Sequence, residues 1–284
     1  GFKCHRVYET IPNIKKLYSS FSVIADINSD VIFGNKTDYY GYLSRLGAKA
    51  RSLVTFEDLI NYPYCSDVVI IPYCGAEKLK LNHDCNSRYL LGHNFFPLRK
   101  EFNNDCFYVS KNAKKILITM GGSDPEKITL KVLSAINSSD QHYEIIVVLG
   151  QASNISPNDI NKTMHNYKGL LKIFTDAKEI SKLMLDCDVA ITNSGLTKYE
   201  LASLGVPTIV ISNNEQQALY SDFFSSFKSS IHLGNFNIIT EKLIRDNCVN
   251  LMQGYNLRLS MSERGKKLLD GKGINRIWQA ILEK

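Results

Sequence analysis

The sequence predicts an α/β fold made of two doubly wound domains that face a cleft. Two observations support this prediction: short apolar runs of strand length alternate with helical stretches, and the alternation is most regular after residue 114. A polar stretch at 102–114 separates the two halves and is predicted to be a linker. We therefore expect an incomplete first domain at 1–101 and a second domain at 115–284. Parallel strands would place a ligand in the cleft, outside their carboxyl ends.

The individual elements follow from apolar runs bounded by turn residues. In the first half the predicted strands are KCHRVY (3–8), DVIFGN (30–35), ARSLVTF (50–56) and SDVVIIPY (66–73). In the second half they are KKILITM, YEIIVVLG, LLKIF, DVAIT, PTIVI and SIHLG. Helical patterns near 239–252, 256–269 and 274–283 close the chain.

Amino-acid composition, net charge and cysteine spacing limit the classes of protein to which this chain can belong. The 284 residues are 44% hydrophobic and 22% charged, as is usual for a globular protein long enough for two domains. The net charge of +6 is dispersed, which suits a small polyanionic ligand or an anionic surface and is too diffuse to indicate nucleic acid. No run approaches the ~20 apolar residues of a membrane span. The seven cysteines are scattered without a CxxC pair, so we expect no zinc site or other metal, and a cytoplasmic location.

The first candidate ligand motif is ITMGGSDPEKITL, residues 118–130. Gly121 and Gly122 follow a predicted strand and allow a backbone to approach a ligand closely, because neither has a Cβ. Ser123 or Asp124 could cap the next helix, with Pro125 in its first turn. Such a helix start favours phosphate. The alternative is a tight strand-to-helix turn without a ligand.

The second motif is DVAITNSGLTKYELASLGVPTIVISNNEQQ, residues 188–217. Ser194 and Gly195 end one predicted strand, and the polar segment 213–217 ends the next, so both lie at the same sheet edge as Gly121. Glu200 in the intervening helix could accept two ribose hydroxyls, or could be a packing residue. The residues predict a nucleotide site with the diphosphate between two helix N-termini.

These two motifs resemble the nucleotide-sugar hydrolases of the pseudaminic acid pathway, of the PseG/SpsG type. That family is related to the GT-B glycosyltransferases. RYLLGHNFFPLRKEF, residues 88–102, is similar to the family's passage between domains. VTFEDLINYPYCSDVVI, residues 54–70, is similar to versions fused behind a sialic-acid-type cytidylyltransferase. The resemblance covers roughly residues 30 to 235.

The resemblance implies a GT-B-like fold of two Rossmann-type domains that binds a UDP-sugar. Water would release UDP and a free 2,4-diacetamido-trideoxy sugar in nonulosonic acid and surface polysaccharide biosynthesis, with no metal or other cofactor. A fused or associated cytidylyltransferase is the protein partner that it implies. The nucleotide-binding residues would be Gly121, Gly122, Ser123, Asp124, Ser194, Gly195 and Glu200. The sugar-binding residues would be Tyr73, Asn214, Glu215 and Gln217.

The sequence departs from the family where the catalytic base is expected. The family's G-x-G-H-x-x-R loop is absent, since Cys4 replaces the glycine before the histidine in GFKCH. We therefore expect the chain to lack the first ~60 residues of a family domain. His5 and His93 are the weak alternatives for the base. A GT-B glycosyltransferase and a non-catalytic nucleotide-sugar-binding module remain the alternative functions.

The other histidines and Arg99 are expected to have no part in ligand binding. The other histidines, His232 among them, are expected at the surface or at strand ends, with no carboxylate partner at metal-ligand spacing. Arg99 is expected to be solvated or to anchor the linker.

Overall fold

A computed structural model describes residues 23–26, 44, 52–56, 66–78, 80, 86–103 and 107–283, with the backbone alone for 23–26. The predicted strands at 3–8 and 30–35 and the candidate base His5 lie outside the described residues. Contacts divide the chain into two compact units, 1–95 with 275–284, and 96–274.

The described strands and helices alternate along the chain. The strands are β1 (Val23–Asp26), β2 (Leu53–Phe56), β3 (Val68–Ile71), β4 (Arg88–Leu91), β5 (Lys115–Thr119), β6 (Glu144–Leu149), β7 (Leu171–Thr175), β8 (Val189–Asn193), β9 (Thr208–Ser212) and β10 (Ser230–Asn235). The α-helices are α1 (Ile128–Asn137), α2 (Pro157–Thr163), α3 (Ile180–Leu185), α4 (Thr197–Leu204), α5 (Glu215–Ser225), α6 (Glu241–Gln253), α7 (Tyr255–Leu268) and α8 (Gly273–Leu282).

The first unit contains a parallel sheet in the order β1-β2-β3-β4. Its apolar core joins β2, β3 and β4 to Ile277, Ala280 and Ile281 of α8. The contacts therefore group most of α8 with the first unit, whereas the sequence placed it in the second domain. β2 and β3 fall inside predicted strands, but β1 and β4 were not predicted.

The second unit contains a parallel sheet in the order β10-β9-β8-β5-β6-β7. All six strands were predicted within two residues of their ends, because each is a short run of apolar, mostly β-branched residues. Alternate residues of these strands face a core shared with α1, α2 and α6. Helices α4 and α5 contact β8, β9 and β10. Among the helices of the described residues, none is both long and apolar enough to cross a bilayer.

A buried arginine fixes the segment that leads into the second sheet. Arg258 of α7 is 0% exposed, and its guanidinium donates to the carbonyls of Leu251 and Met252 near the end of α6. It also donates to the carbonyl of Ser110 at 2.7 Å, in the stretch that precedes β5. The guanidinium therefore satisfies helix-end carbonyls and ties the predicted linker to the second unit.

Candidate functional site

The strand order places the two predicted ligand loops side by side. β5 and β8 are neighbours in the second sheet, and the chain leaves β5 towards β6 but leaves β8 towards β9, on opposite sides. The loops after these two strands therefore diverge, which is where ligands bind in open parallel sheets. The Gly121–Gly122 turn follows β5, and the Ser194–Gly195 loop follows β8.

The glycine turn after β5 has one open face and one packed face. Gly121 adopts φ +73°, a left-handed conformation that favours glycine. A Cβ added to Gly122 would meet no atom within 4 Å, and Gly122 and Ser123 are exposed. Beneath the turn, a Cβ added to Gly150 would lie 2.3 Å from the Gly121 carbonyl oxygen. Gly150 was missed, although its position directly after a predicted strand was the available signal.

The N-terminus of α1 is occupied by a carboxylate of the protein itself. Asp124, which is 3% exposed, accepts the N–H of Ile128 at 2.8 Å and that of Thr129 at 2.9 Å. The helix begins at Ile128, so the prediction that Pro125 lies in its first turn was wrong. The reason is that Asp124 and Lys127 adopt positive φ, which delays the helix by three residues. Asp124 thus serves as the cap of α1.

Asn193 joins the two loops across the gap between β5 and β8. Its Nδ2 donates to the Met120 carbonyl at 2.6 Å, and its Oδ1 accepts the Gly195 N–H at 3.1 Å. Sequence reasoning gave this residue no role. Its position at the end of β8, directly before Ser194, was the only signal.

The hydroxyl of Ser194 turns into the sheet. It is buried and donates to Ser212 Oγ at 2.8 Å, and Ser212 Oγ lies 2.8 Å from His232 Nε2. His232 Nδ1 lies 2.7 Å from Asp222 Oδ1, and the histidine side chain is 4% exposed. The sequence indicated a surface or strand-end position for His232, whereas its side chain is buried within β10, and it gave no sign of the contact with Asp222. Strand alternation in β10 turns it towards α5, which carries Asp222.

Helix α4 starts at the ligand edge without a side-chain cap. The ammonium of Lys198, which is 3% exposed, donates to the carbonyl of Ser194 and lies 5.1 Å from the centre of the Tyr199 ring. A buried cation beside this loop reinforces the partial positive charge of the helix start. The loop is therefore well suited to an anion.

Glu200 lies in the first turn of α4, as predicted, and its carboxylate is bound by Arg99. Glu200 Oε1 accepts from Arg99 Nη2 at 3.1 Å, and the Glu200 side chain is 17% exposed. Burial raises the pKa of Glu200 above its ordinary value, and the Arg99 hydrogen bond partly opposes that rise. Arg99 lies next to Glu200 and also pairs with Glu101, which the sequence did not indicate.

The polar segment after β9 forms the start of α5. The Asn214 side chain caps this helix by accepting the Gln217 N–H at 2.9 Å. Asn214 and Glu215 are exposed, and Gln217 is half-buried. The side-chain oxygens of Asn213 and Gln217 are buried and have no hydrogen-bond partner within the described part of the chain. These oxygens can accept hydrogen bonds from a bound molecule.

Two residues that the sequence suggested for the site lie in the first unit, each just after a strand: Tyr73 as a sugar contact and His93 as a base. Tyr73 follows β3, is half-buried, and accepts the Ala76 N–H through its carbonyl at 3.1 Å. His93 follows β4 in a short 3₁₀ turn and is also half-buried. In the described residues, no group of three or more His, Cys, Asp or Glu side chains has an arrangement that could hold a metal ion.

No protein-family model matches the chain. The chain is 28% identical over 222 residues to the spore coat polysaccharide biosynthesis protein SpsG of Bacillus subtilis, covering 77% of this chain and 65% of SpsG. It is 29% identical over 196 residues to a bifunctional Helicobacter pylori protein, covering 68% of this chain and 34% of that protein. The latter is the pseudaminic acid cytidylyltransferase and UDP-2,4-diacetamido-2,4,6-trideoxy-beta-L-altropyranose hydrolase. The chain thus spans less than two thirds of the length of either relative.

Solved structures share the fold at low sequence identity. MurG of Acinetobacter baumannii matches with a TM-score of 0.66 at 13% identity, over 96% of this chain and 77% of MurG. The UDP-GlcNAc 2-epimerase of Neisseria meningitidis bound to UDP-GlcNAc matches with a TM-score of 0.61 at 12% identity, over 96% of this chain and 80% of the epimerase. The predicted GT-B-like fold, with two parallel-sheet α/β domains, is confirmed. In sequence, the chain is similar to SpsG/PseG-type proteins.

Proposed function

We propose that this protein binds a UDP-sugar, with the nucleotide at the carboxyl edge of the second sheet. The observation that carries the proposal is the pairing of the Gly121–Gly122 turn and the Ser194–Gly195 loop on either side of the β5–β8 switch point. Asn193 bridges these loops, so they form one surface. UDP-sugars are named for the hydrolase relative and for a fold neighbour, which supports this class of ligand.

Within this site the diphosphate lies over Gly122 and at the start of α4. Gly122 offers an open backbone face, and α4 offers N–H groups without a side-chain cap. Ser123 is exposed beside Gly122 and donates to the same phosphate. Glu200 binds the ribose hydroxyls and exchanges its hydrogen bond with Arg99 for them.

The sugar lies towards the start of α5. Asn214 and Glu215 are exposed there, and the buried Gln217 oxygen accepts a hydrogen bond from the ligand. Tyr73, which follows β3, stays a prediction from the resemblance. An amide-rich surface suits acetamido groups, which both donate and accept hydrogen bonds.

The reaction we propose is hydrolysis of the UDP-sugar. The oxygen of water bonds to the anomeric carbon while the bond from that carbon to the β-phosphate oxygen breaks. One proton of water passes to a base, and UDP leaves with the negative charge stabilised at α4. His93 stays a weak sequence-based candidate for this base, and if it is the base, His93→Ala should slow UDP release by ~100-fold or more.

A glycosyltransferase is the second candidate, because the GT-B-like fold is shared with glycosyltransferases. An acceptor hydroxyl would then replace water. A nucleotide-sugar-binding module that serves a cytidylyltransferase is the candidate of a different class.

Two measurements test the proposal. Calorimetric titration should give binding of UDP in preference to CMP, ADP or GDP, without magnesium. Release of UDP from a UDP-2,4-diacetamido sugar without an acceptor then identifies a hydrolase. Release only with an added acceptor would identify a transferase, and UDP binding without release would identify a binding module. Absence of UDP binding would contradict all three.

A further inference from the structure

A chain of hydrogen bonds connects the Ser194–Gly195 loop with the surface of α5, and the proposed function leaves it unused. Ser194 Oγ donates to Ser212 Oγ at 2.8 Å, Ser212 Oγ lies 2.8 Å from His232 Nε2, and His232 Nδ1 lies 2.7 Å from Asp222 Oδ1. The two serines and the imidazole are buried, whereas the Asp222 side chain is 71% exposed. One end of this hydrogen-bond series thus lies at the Ser194–Gly195 loop, and the other end, at Asp222, is exposed to water.

When His232 is neutral, each hydrogen bond of this series has a defined donor and a defined acceptor. A carboxylate only accepts, which assigns the ring proton to Nδ1, facing Asp222. Nε2 then accepts from the Ser212 hydroxyl, and Ser212 Oγ accepts from Ser194. The Ser194 hydroxyl therefore donates its proton to Ser212 Oγ and not to a ligand.

Protonation of the imidazole reverses that direction. Nε2 then carries a proton and donates to Ser212 Oγ, so the Ser212 hydroxyl turns towards Ser194 Oγ. The Ser194 proton is released to another acceptor. The Ile211 carbonyl lies 3.3 Å from Ser194 Oγ, which is long for a hydrogen bond from a hydroxyl donor. A phosphate oxygen at the loop would compete with it favourably, because hydrogen bonds to ionised acceptors are shorter and stronger.

We propose that His232, held by Asp222, is a positioning residue that sets the direction of the Ser194 hydroxyl. Through it, binding of a nucleoside diphosphate at this loop is coupled to uptake of one proton from solvent by the imidazole, and release of the nucleotide returns the proton. This inference rests on the proposed function, because it takes the anion to bind at the Ser194–Gly195 loop.

Charged groups lie at both ends of the hydrogen-bond series. Asp222 is the charged group that contacts the imidazole ring. The other titratable residues of α5 are Glu215 and Tyr220, and β9 has none. Lys198 of α4 lies at the far end of the chain, where its ammonium donates to the Ser194 carbonyl. A bound diphosphate would offset that positive charge.

The test compares wild type with His232→Gln. Glutamine keeps an oxygen that can accept from Ser212 but cannot take up a proton. UDP is titrated calorimetrically in two buffers that differ in ionisation enthalpy, which measures the protons taken up on binding. Ionisation of the UDP phosphate is common to both proteins, so the difference between them isolates His232. His165→Gln, at an exposed histidine, is the matched control.

Wild type and His165→Gln should take up more protons than His232→Gln. Between pH 8 and pH 6, the affinity of wild type for UDP should gain roughly fivefold more than that of His232→Gln, the lower end of coupling between sites. Asp222→Asn, at an exposed position, is a second variant that leaves the core intact, and it should reduce proton uptake in the same direction. Nitrogen NMR of the imidazole in the free protein should show the proton on Nδ1.

Equal proton uptake in wild type and His232→Gln, with UDP still bound, would overturn the coupling and leave the proposed function standing. A neutral imidazole with its proton on Nε2 would also overturn it. Failure of every protein to bind UDP would overturn the proposed function and the coupling with it.

Discussion

Replacing Glu200 by glutamine should weaken UDP binding without destabilising the protein. The Glu200 carboxylate lies in the first turn of α4, is 17% exposed, and accepts from Arg99 at 3.1 Å. Two ribose hydroxyls would donate to it, and hydrogen bonds to a charged group contribute about 1.5 to 3 kcal/mol. Glutamine keeps the shape but loses the charge and one acceptor. We therefore expect Kd for UDP to rise roughly ten- to a hundredfold.

The effect of the same change on stability follows from the pKa of Glu200. Burial raises this pKa, so the folded protein holds the proton of Glu200 more tightly than the unfolded chain does. The ionised carboxylate therefore opposes folding at neutral pH, and this cost disappears as pH falls through the raised pKa. Glutamine removes the cost at every pH. The exposed Arg99 partner adds little stability, so Tm of Glu200→Gln should be unchanged or higher.

The control for this prediction is Glu144→Gln at the opposite end of the second sheet. Glu144 begins β6, is 19% exposed, and pairs with Lys172 at 2.6 Å. It matches Glu200 in exposure and in kind of partner. Calorimetric titration and thermal unfolding should show weaker UDP binding for Glu200→Gln alone. Equal affinity in the two variants would refute the ribose role, and a lower Tm for Glu200→Gln would make Glu200 a structural residue.

Three further predictions follow from the same unit. Gly122→Ala should leave Tm unchanged but weaken UDP binding by roughly tenfold or more, because the added methyl group would occupy the open face of the turn. Gly150→Ala should instead lower Tm, because its Cβ would lie 2.3 Å from a backbone oxygen. Arg258→Met should lower the free energy of unfolding by at least about 3 kcal/mol in urea titrations, because several buried carbonyls lose their donor. In a His232→Gln background, where the imidazole cannot contribute, UDP affinity should fall on acidification as Glu200 protonates, and Arg99→Met should move that loss to higher pH, because Arg99 lowers the pKa of Glu200. Unchanged pH dependence in Arg99→Met would contradict the last prediction.

The second sheet was predictable because each of its strands carries a local signal. β6, β8 and β9 are short, largely apolar and followed directly by a glycine or a polar residue, and only Met120 separates β5 from Gly121. β4 was missed because RYLL begins with arginine and tyrosine, and only one of its four residues is buried. Its sequence alone therefore lacks the pattern of a central strand.

From the sequence, candidate site residues could be named only where they are close together in sequence. The Gly121–Gly122 turn, the Ser194–Gly195 loop and Glu200 each follow a visible strand. By contrast, Asn193 and Met120 are hydrogen-bonded although they are 73 residues apart in sequence, and Arg99 and Glu200 although they are 101 residues apart. Such pairs depend on which strands and helices are neighbours, and this order is not encoded in any short motif.

The structure also changes how the site would balance the charge of a diphosphate. The sequence assigned the ligand to two helix N-termini, but the start of α1 is already bound to the Asp124 carboxylate. A second anion at the same N–H groups would displace that buried carboxylate, at a cost that a helix terminus alone does not offset. The start of α4 has no side-chain cap, and the Lys198 ammonium lies beside it. The phosphate charge is therefore expected to be carried by α4 and its lysine, while the turn after β5 contributes the close approach of an open glycine backbone.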